Sequence, residues 1–302
     1  MRLHILCGCA IIKLRKEQEK DMQKFLTDLH THTTYSHDGQ NTPAEMLAAA
    51  QKAGIAFYGV SEHFDYDYDA SLLSEELYKY TRNGDPAEYF HALRHLQEDY
   101  EGVMNVAVGA EFGYSDKAEV QGMYALTYEK YRPDFVINSV HSIDGKDFAY
   151  ADYEKEADFY SDKKAIYGQY LRLIRDSLDV PYHYDIVAHI GYAARYVQFE
   201  DKTFSLEEFG EQIDDILQTI IKKDKILEVN SANKTLPNRT LPAKHIIERY
   251  FELGGRKVSF GSDAHFVERI ADKREEVVEM LKKIGFTYIT VPFRGEHIKV
   301  EI

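Results

Sequence analysis

The chain has 302 residues, 44% of them hydrophobic and 29% charged, and a formal net charge of −14. This is an ordinary globular composition with room for a large core, and no apolar run approaches the ~20 residues that a spanning helix needs, so no membrane partner is expected. The acidity repels a phosphate polymer and no long Lys/Arg stripe offers counterion release, so no nucleic acid is expected either, and a small-molecule substrate is.

Residues 1–24 read as a dispensable N-terminal extension. An apolar stretch from Ile5 to Ile12 is followed by a charged one from Lys13 to Asp21, with no cleavage site of small residues, which makes a poor signal peptide and favours a cytoplasmic enzyme. Both cysteines, Cys7 and Cys9, lie there, so a metal in the main body must be held by nitrogen and oxygen. Residues 25–302 then alternate between apolar runs and helical periodicity as one domain. Strands are predicted at Phe25–Asp28, Ala56–Val60, Val106–Ala110, Phe135–Ser139, Asp185–Ala188, Ile226–Val229 and Lys257–Phe260. Helices are predicted at Pro43–Ala53, Pro86–Glu101, Tyr124–Tyr131, Lys163–Leu178, Leu206–Lys222, Pro242–Leu253 and Lys273–Ile284. Repeated βα units of this kind form a parallel sheet. Between Phe64 and Asp85 lies the longest irregular insert, with an acidic run, Asp65-Tyr66-Asp67-Tyr68-Asp69, that reads as exposed or as attracting a cationic substrate.

The residues at the end of each strand are chemically distinctive. The first strand ends in Asp28-Leu29-His30-Thr31-His32, the second in Ser61-Glu62-His63, the third in Glu111, the fourth in His141, the fifth in His189, the sixth in Asn230 and the seventh in Ser262-Asp263-Ala264-His265. Side chains two apart on an extended segment share a side, so His30 and His32 can grip one ion. In a parallel barrel all strand C-termini meet on one face, where residues distant in sequence become neighbours. His4, His91, His95, His183, His245 and His297 do not follow strands and are assigned to surface or packing.

With these motifs assembled, the chain resembles the PHP (polymerase and histidinol phosphatase) family of metal-dependent phosphoesterases, within it the histidinol-phosphatase branch, over about residues 25–300. Asp28–His32, Ser61-Glu62-His63, His141 and Gly261-Ser262-Asp263-Ala264-His265 carry the resemblance. Gly109-Ala110-Glu111 and Ala188-His189-Ile190-Gly191 match the remaining ligand motifs. The resemblance implies a distorted (βα)7 TIM-like barrel with three metal ions, of Zn, Mn or Fe, at its C-terminal face. One ion would take His30, His32, Glu111 and Asp263, and a second the bridging Glu111 with His141 and His189. A third would take Asp38, His63 and His265. Asp38 stands at the family's usual offset, and the adjacent His37 is the alternative ligand, or otherwise faces the substrate. Asp28 would orient a ligating imidazole.

The implied activity is hydrolysis of L-histidinol phosphate to L-histidinol and phosphate in histidine biosynthesis, with another small phosphoester as the alternative substrate. Glu111, Asp263 and His265 would stand closest to the reaction, in which a metal-activated hydroxide attacks phosphorus. Arg195 and Arg239 lie in loops after the fifth and sixth strands, where guanidinium groups could clamp phosphate.

Overall fold

A computed structural model describes residues 26–67, 85–149, 161–232 and 240–302. Chain order is β1 (Leu26–Asp28), α1 (Pro43–Lys52), β2 (Ile55–Val60), β3 (His63–Phe64), α2 (Pro86–Asp99), β4 (Asn105–Gly113), α3 (Ala118–Tyr131), β5 (Phe135–Ser139), β6 (Ser142–Ile143), β7 (Lys146–Asp147) and α4 (Lys163–Ser177). It continues with β8 (Ile186–Val187), α5 (Tyr192–Tyr196), α6 (Leu206–Lys222), β9 (Ile226–Asn230), α7 (Lys244–Glu252), β10 (Val258–Gly261), α8 (Arg274–Ile284), β11 (Tyr288–Phe293) and β12 (Glu296–Glu301).

All seven predicted strands form one parallel sheet in the order β1-β2-β4-β5-β8-β9-β10. Short β3 extends the line of β2 along β4, pairing His63 with Glu111. The ends of the sheet meet where Leu29 N–H donates to Phe260 O at 3.2 Å, Asp263 N–H to His30 O at 2.8 Å and His32 N–H to Ala264 O at 2.9 Å. These bonds make a nearly closed barrel. They also lay the first ligand motif alongside the last.

Strands with both faces covered read as continuous apolar runs, and β2 is buried along its whole length. The helices that cover them begin with local signals. In α1 the Thr42 side chain accepts from Glu45 N–H while the Glu45 carboxylate answers to Thr42 N–H, and Pro43 opens the first turn, an arrangement that satisfies otherwise orphaned amides. In α6, Ile213, Ile216, Leu217 and Ile220 face the sheet at helical spacing.

A second apolar cluster fills the end of the barrel where strands begin, with Phe57, Phe135, Ile137, Ile186 and Ile226 at its centre. Phe135 fits because a Cβ on Gly109 would sit 2.4 Å from its ring and one on Gly59 2.7 Å. The C-terminal hairpin β11–β12 closes this end: Val291 and Val300 join the cluster, and the Phe293 ring meets Phe57 at 5.9 Å.

This hairpin was not among the predicted elements. Its turn residues Arg294 and Gly295 both have positive φ, as a two-residue turn between twisted strands requires. Helix α3 starts six residues before the predicted Tyr124, and the β6–β7 hairpin was likewise unforeseen. Among the described residues, no helix is long and apolar enough to cross a membrane.

Candidate metal centre

Nitrogen and oxygen atoms from distant strand ends converge at the C-terminal mouth of the barrel. His30 Nε2 lies 3.3 Å from Glu111 Oε2 and 3.8 Å from Asp263 Oδ1, while His32 Nε2 lies 3.6 and 3.4 Å from the same two atoms. A tetrahedron whose vertices stand about 2.1 Å from a central ion has edges of about 3.4 Å. The four separations lie near that value, and the ligand atoms of His30, His32 and Glu111 form one of the clusters that could hold an ion.

The other carboxylate oxygen of Glu111 faces a second group, 3.1 Å from His141 Nε2 and 3.1 Å from His189 Nε2. One carboxylate on β4 therefore spans two potential ion positions. On its outer side, Asp38 reaches His265 Nε2 at 2.9 Å and His63 Nε2 at 3.8 Å. His37 Nε2 stands 4.0 Å from Asp38 Oδ1, and both residues line the same cavity. His63 turns its Nδ1 towards Glu111 Oε2 at 2.8 Å, and its ring stacks on His32 with centroids 4.1 Å apart.

Three of these atoms are buried without a hydrogen-bond partner among the described residues: His30 Nε2, His32 Nε2 and Asp38 Oδ1. Buried polar atoms are normally satisfied. Convergent lone pairs at this spacing suit cations, and the donor set fits Zn, Mn or Fe.

Burial and charge oppose one another here. Burial pushes Glu111 up, but His30, His63 and His141 hold it well below the usual carboxylate range, and Asp263 is held down in the same way by His30 and His32. Burial would lower His63, yet the Glu111, Asp38 and Asp65 carboxylates raise it to about 9. Burial leaves His32 well below normal, reinforced by the charges of His63 and His265. Burial also lowers His37, to about 4.

Buried carboxylates to which the sequence alone assigns no part in the centre hold the imidazoles in place. Glu228 on β9 lies 2.6 Å from His30 Nδ1 and accepts His189 N–H at 2.8 Å. A Cβ at Gly261 would lie 2.3 Å from the Glu228 carboxylate and 2.6 Å from His30 Cβ, so the last motif needs glycine there. Asp65, the first residue of the acidic run, is buried and lies 3.1 Å from His141 Nδ1, while Tyr68 and Asp69 lie outside the described residues. Glu62 accepts from Thr33 N–H, Thr33 Oγ1 and Ser36 Oγ, which fixes the loop that carries His32. Ser139 Oγ donates to Glu111 Oε1. The visible signal was a charged residue inside an apolar strand, as in Leu227-Glu228-Val229.

Asp28 does not orient an imidazole as expected. Its carboxylate accepts Ser262 N–H at 2.9 Å and Ala271 N–H at 2.8 Å, tying β1 to the loop of Asp263 and His265. Burial raises it to about 6, partly offset by those bonds to Ser262 and Ala271. Asp263 and His189 both have positive φ, and such strained backbone persists where the surroundings hold it.

The centre opens into a cavity of about 360 Å³. Arg195, on α5, reaches into it with its guanidinium 3.3 Å from Asp263 Oδ2 and over the Tyr196 ring. It is not a surface charge. Arg239 lies outside the described residues, whereas Arg269, which was not anticipated, lines the mouth. His91 and His95 pack on each other on α2, His183 pairs with Asp185, His245 with Phe204 O and His297 with Lys257, all apart from the centre, as expected. His4 lies outside the described residues.

These features define a parallel α/β barrel whose strand ends gather His, Glu and Asp side chains into clusters able to bind metal. The PHP domain family matches residues 28–232, and the chain belongs to that family. It is 25% identical over 265 residues to a protein of Lactococcus lactis subsp. lactis named histidinol-phosphatase, covering 86% of this chain and 91% of that one. It is 28% identical over 269 residues to a Thermotoga maritima protein named "Probable histidinol-phosphatase", covering 88% and 95%. The solved structure of histidinol phosphate phosphatase from Lactococcus lactis subsp. lactis, complexed with zinc, L-histidinol and phosphate, superposes with a TM-score of 0.73 at 23% identity, over 90% of this chain and 98% of that one.

Proposed function

We propose that this chain hydrolyses L-histidinol phosphate to L-histidinol and phosphate, as a metal-dependent phosphomonoesterase of histidine biosynthesis in the cytoplasm. The observation that carries the reading is Glu111, whose two carboxylate oxygens face separate imidazole groups across the barrel mouth. Relatives named histidinol-phosphatase, matched over nine-tenths or more of their length, support the substrate.

In this reading His30, His32, Glu111 and Asp263 hold one ion, Glu111, His141 and His189 a second, and Asp38, His63 and His265 a third. Zinc is the first candidate, with Mn and Fe also suited to the donors. Ions bound by these residues would activate water at neutral pH and offset phosphoryl charge. The protein's own residues do the remainder. Arg195 offers a fork to the phosphate oxygens and, beside Asp263, is held at the edge of the cavity. Glu111 fixes the separation of the two groups. Tyr192, Tyr196 and Phe266 give the cavity apolar walls that suit an imidazole-bearing leaving group.

Release of inorganic phosphate by zinc- or manganese-loaded protein should be measured for L-histidinol phosphate and a panel of small phosphoesters. The expected result is the highest kcat/KM on L-histidinol phosphate. A higher value on another ester would replace the substrate, and no turnover of any phosphoester by metal-loaded protein would end the reading.

A further inference from the structure

Glu228 lies in the middle of β9 and 1% exposed, yet three groups converge on its carboxylate. His30 Nδ1 is 2.6 Å from Oε1, while Oε2 accepts the His189 backbone N–H at 2.8 Å and the Asn230 Nδ2–H at 3.3 Å. His30 turns its other nitrogen, Nε2, to Glu111 and Asp263, and His189 turns its Nε2 to the opposite oxygen of Glu111. The two imidazoles belong to different ion positions in the ligand set proposed above, on which this inference rests.

A neutral imidazole carries one proton, and the nitrogen that ligates a metal cannot be the one that holds it. With Nε2 committed to the ion, the proton of His30 sits on Nδ1 and points at Glu228. All three neighbours of Glu228 are then donors. A carboxylate, which only accepts, satisfies them all, and its isosteric amide cannot.

We propose that Glu228 is the positioning residue that fixes the tautomer of His30 for the first ion and, through the His189 amide, the strained backbone that presents His189 to the second. In Glu228→Gln the amide oxygen takes the side where two donors point, those of His189 and Asn230. That leaves the NH2 group against His30 Nδ1. His30 then accepts at Nδ1, carries its proton on Nε2 and leaves the first ion.

The test uses the full chain with zinc as the probe. Long-range 15N–1H spectra of the zinc-loaded wild type should show His30 protonated at Nδ1 and bound through Nε2. Competition with a chelator should show Glu228→Gln losing affinity for at least one zinc by about 10- to 100-fold, the usual effect of removing a carboxylate behind a ligating histidine, while circular dichroism stays native. Glu228→Asp, which keeps an acceptor-only group, should lose less. Unchanged zinc affinity in a folded Glu228→Gln overturns the proposal. If that variant fails to fold, the wild-type spectrum decides alone, since His30 bound through Nδ1 overturns it equally. A wild-type chain that takes up no zinc would sink the ligand set itself, and this inference with it.

Discussion

The same strands that begin in hydrocarbon end in charge. Where they start, Phe57, Phe135, Ile186 and Ile226 are sealed by Val291 and Val300 of the C-terminal hairpin. Where they finish, His30, His32, Glu111, His189 and Glu228 are equally buried but each depends on a partner of opposite charge or on a donated proton. Fully burying one large apolar side chain stabilises a fold by about 1.5–3 kcal/mol, whereas an unpaired buried charge destabilises it by more. The apolar end therefore carries the fold and leaves the polar end free to be built around cations.

The largest departure from that division should come from Glu111→Gln. It nearly preserves volume, yet it weakens the group shared by both imidazole sets. Activity on phosphoester should fall by more than about 100-fold, beyond the usual cost of losing an outer partner of a metal ligand, with far-ultraviolet circular dichroism unchanged. Wild-type turnover in this variant would refute a shared carboxylate.

The mirror experiment is Phe135→Ala. Removing a ring that fills the space left by Gly59 and Gly109 should cost about 3–5 kcal/mol in urea unfolding, with zinc content and kcat of the folded protein retained. If metal content fell in step with stability, the two ends would not be separable.

Much of this division was legible in the sequence because it is a matter of order along each strand. All seven strands start within one residue of their predicted positions, and only β4 runs more than one residue past its predicted end. Histidine is scarce enough that its recurrence after strands stands out. The hairpin was harder to see, since Pro292 interrupts an otherwise strand-like run and β12 buries only Val300. The early start of α3 had no side-chain cap at Lys117 to announce it, and Gly122 weakens its helical pattern. Glu228 could not be assigned because a lone carboxylate acquires its meaning only when the barrel brings it to His30, 198 positions away. The ring order that does so is set by pairing, not by local composition.

Arg195→Ala should have a smaller effect, confined to the polar end. The guanidinium contacts Asp263 only at 3.3 Å, so the ligand can keep its place when the arginine is removed. Roughly a tenfold loss in kcat/KM on phosphate monoesters is expected from losing a charge-assisted partner, with metal content unaltered. Kinetics identical to the wild type would leave phosphate recognition to the ions and to Arg269.

The most sensitive probe of the comparison is pH, because the two ends should answer to it differently. Burial alone would depress His63, but Glu111, Asp38 and Asp65 raise it to about 9 from its ordinary 6.5. A group whose folded value lies above its unfolded value stabilises the fold fully below the unfolded value and loses that contribution as pH rises through the folded one. His141 and His265 are shifted in the same direction, against burial, by Glu111 and by Asp38 respectively. The Tm of chelator-stripped protein should therefore decline between about pH 6.5 and 9. Zinc uptake in the same window should release protons into a weakly buffered solution, since ligating nitrogens must be unprotonated. Glu111→Gln should flatten the decline, because Glu111 is the strongest of the groups that raise His63. Phe135→Ala should lower Tm by a similar amount at every pH, as no titrating side chain belongs to the apolar cluster it disrupts. A metal-free Tm that held level or rose across this range would mean that His63 is not protonated there, and that the carboxylates at the barrel mouth do not balance the imidazoles as the distances between them imply.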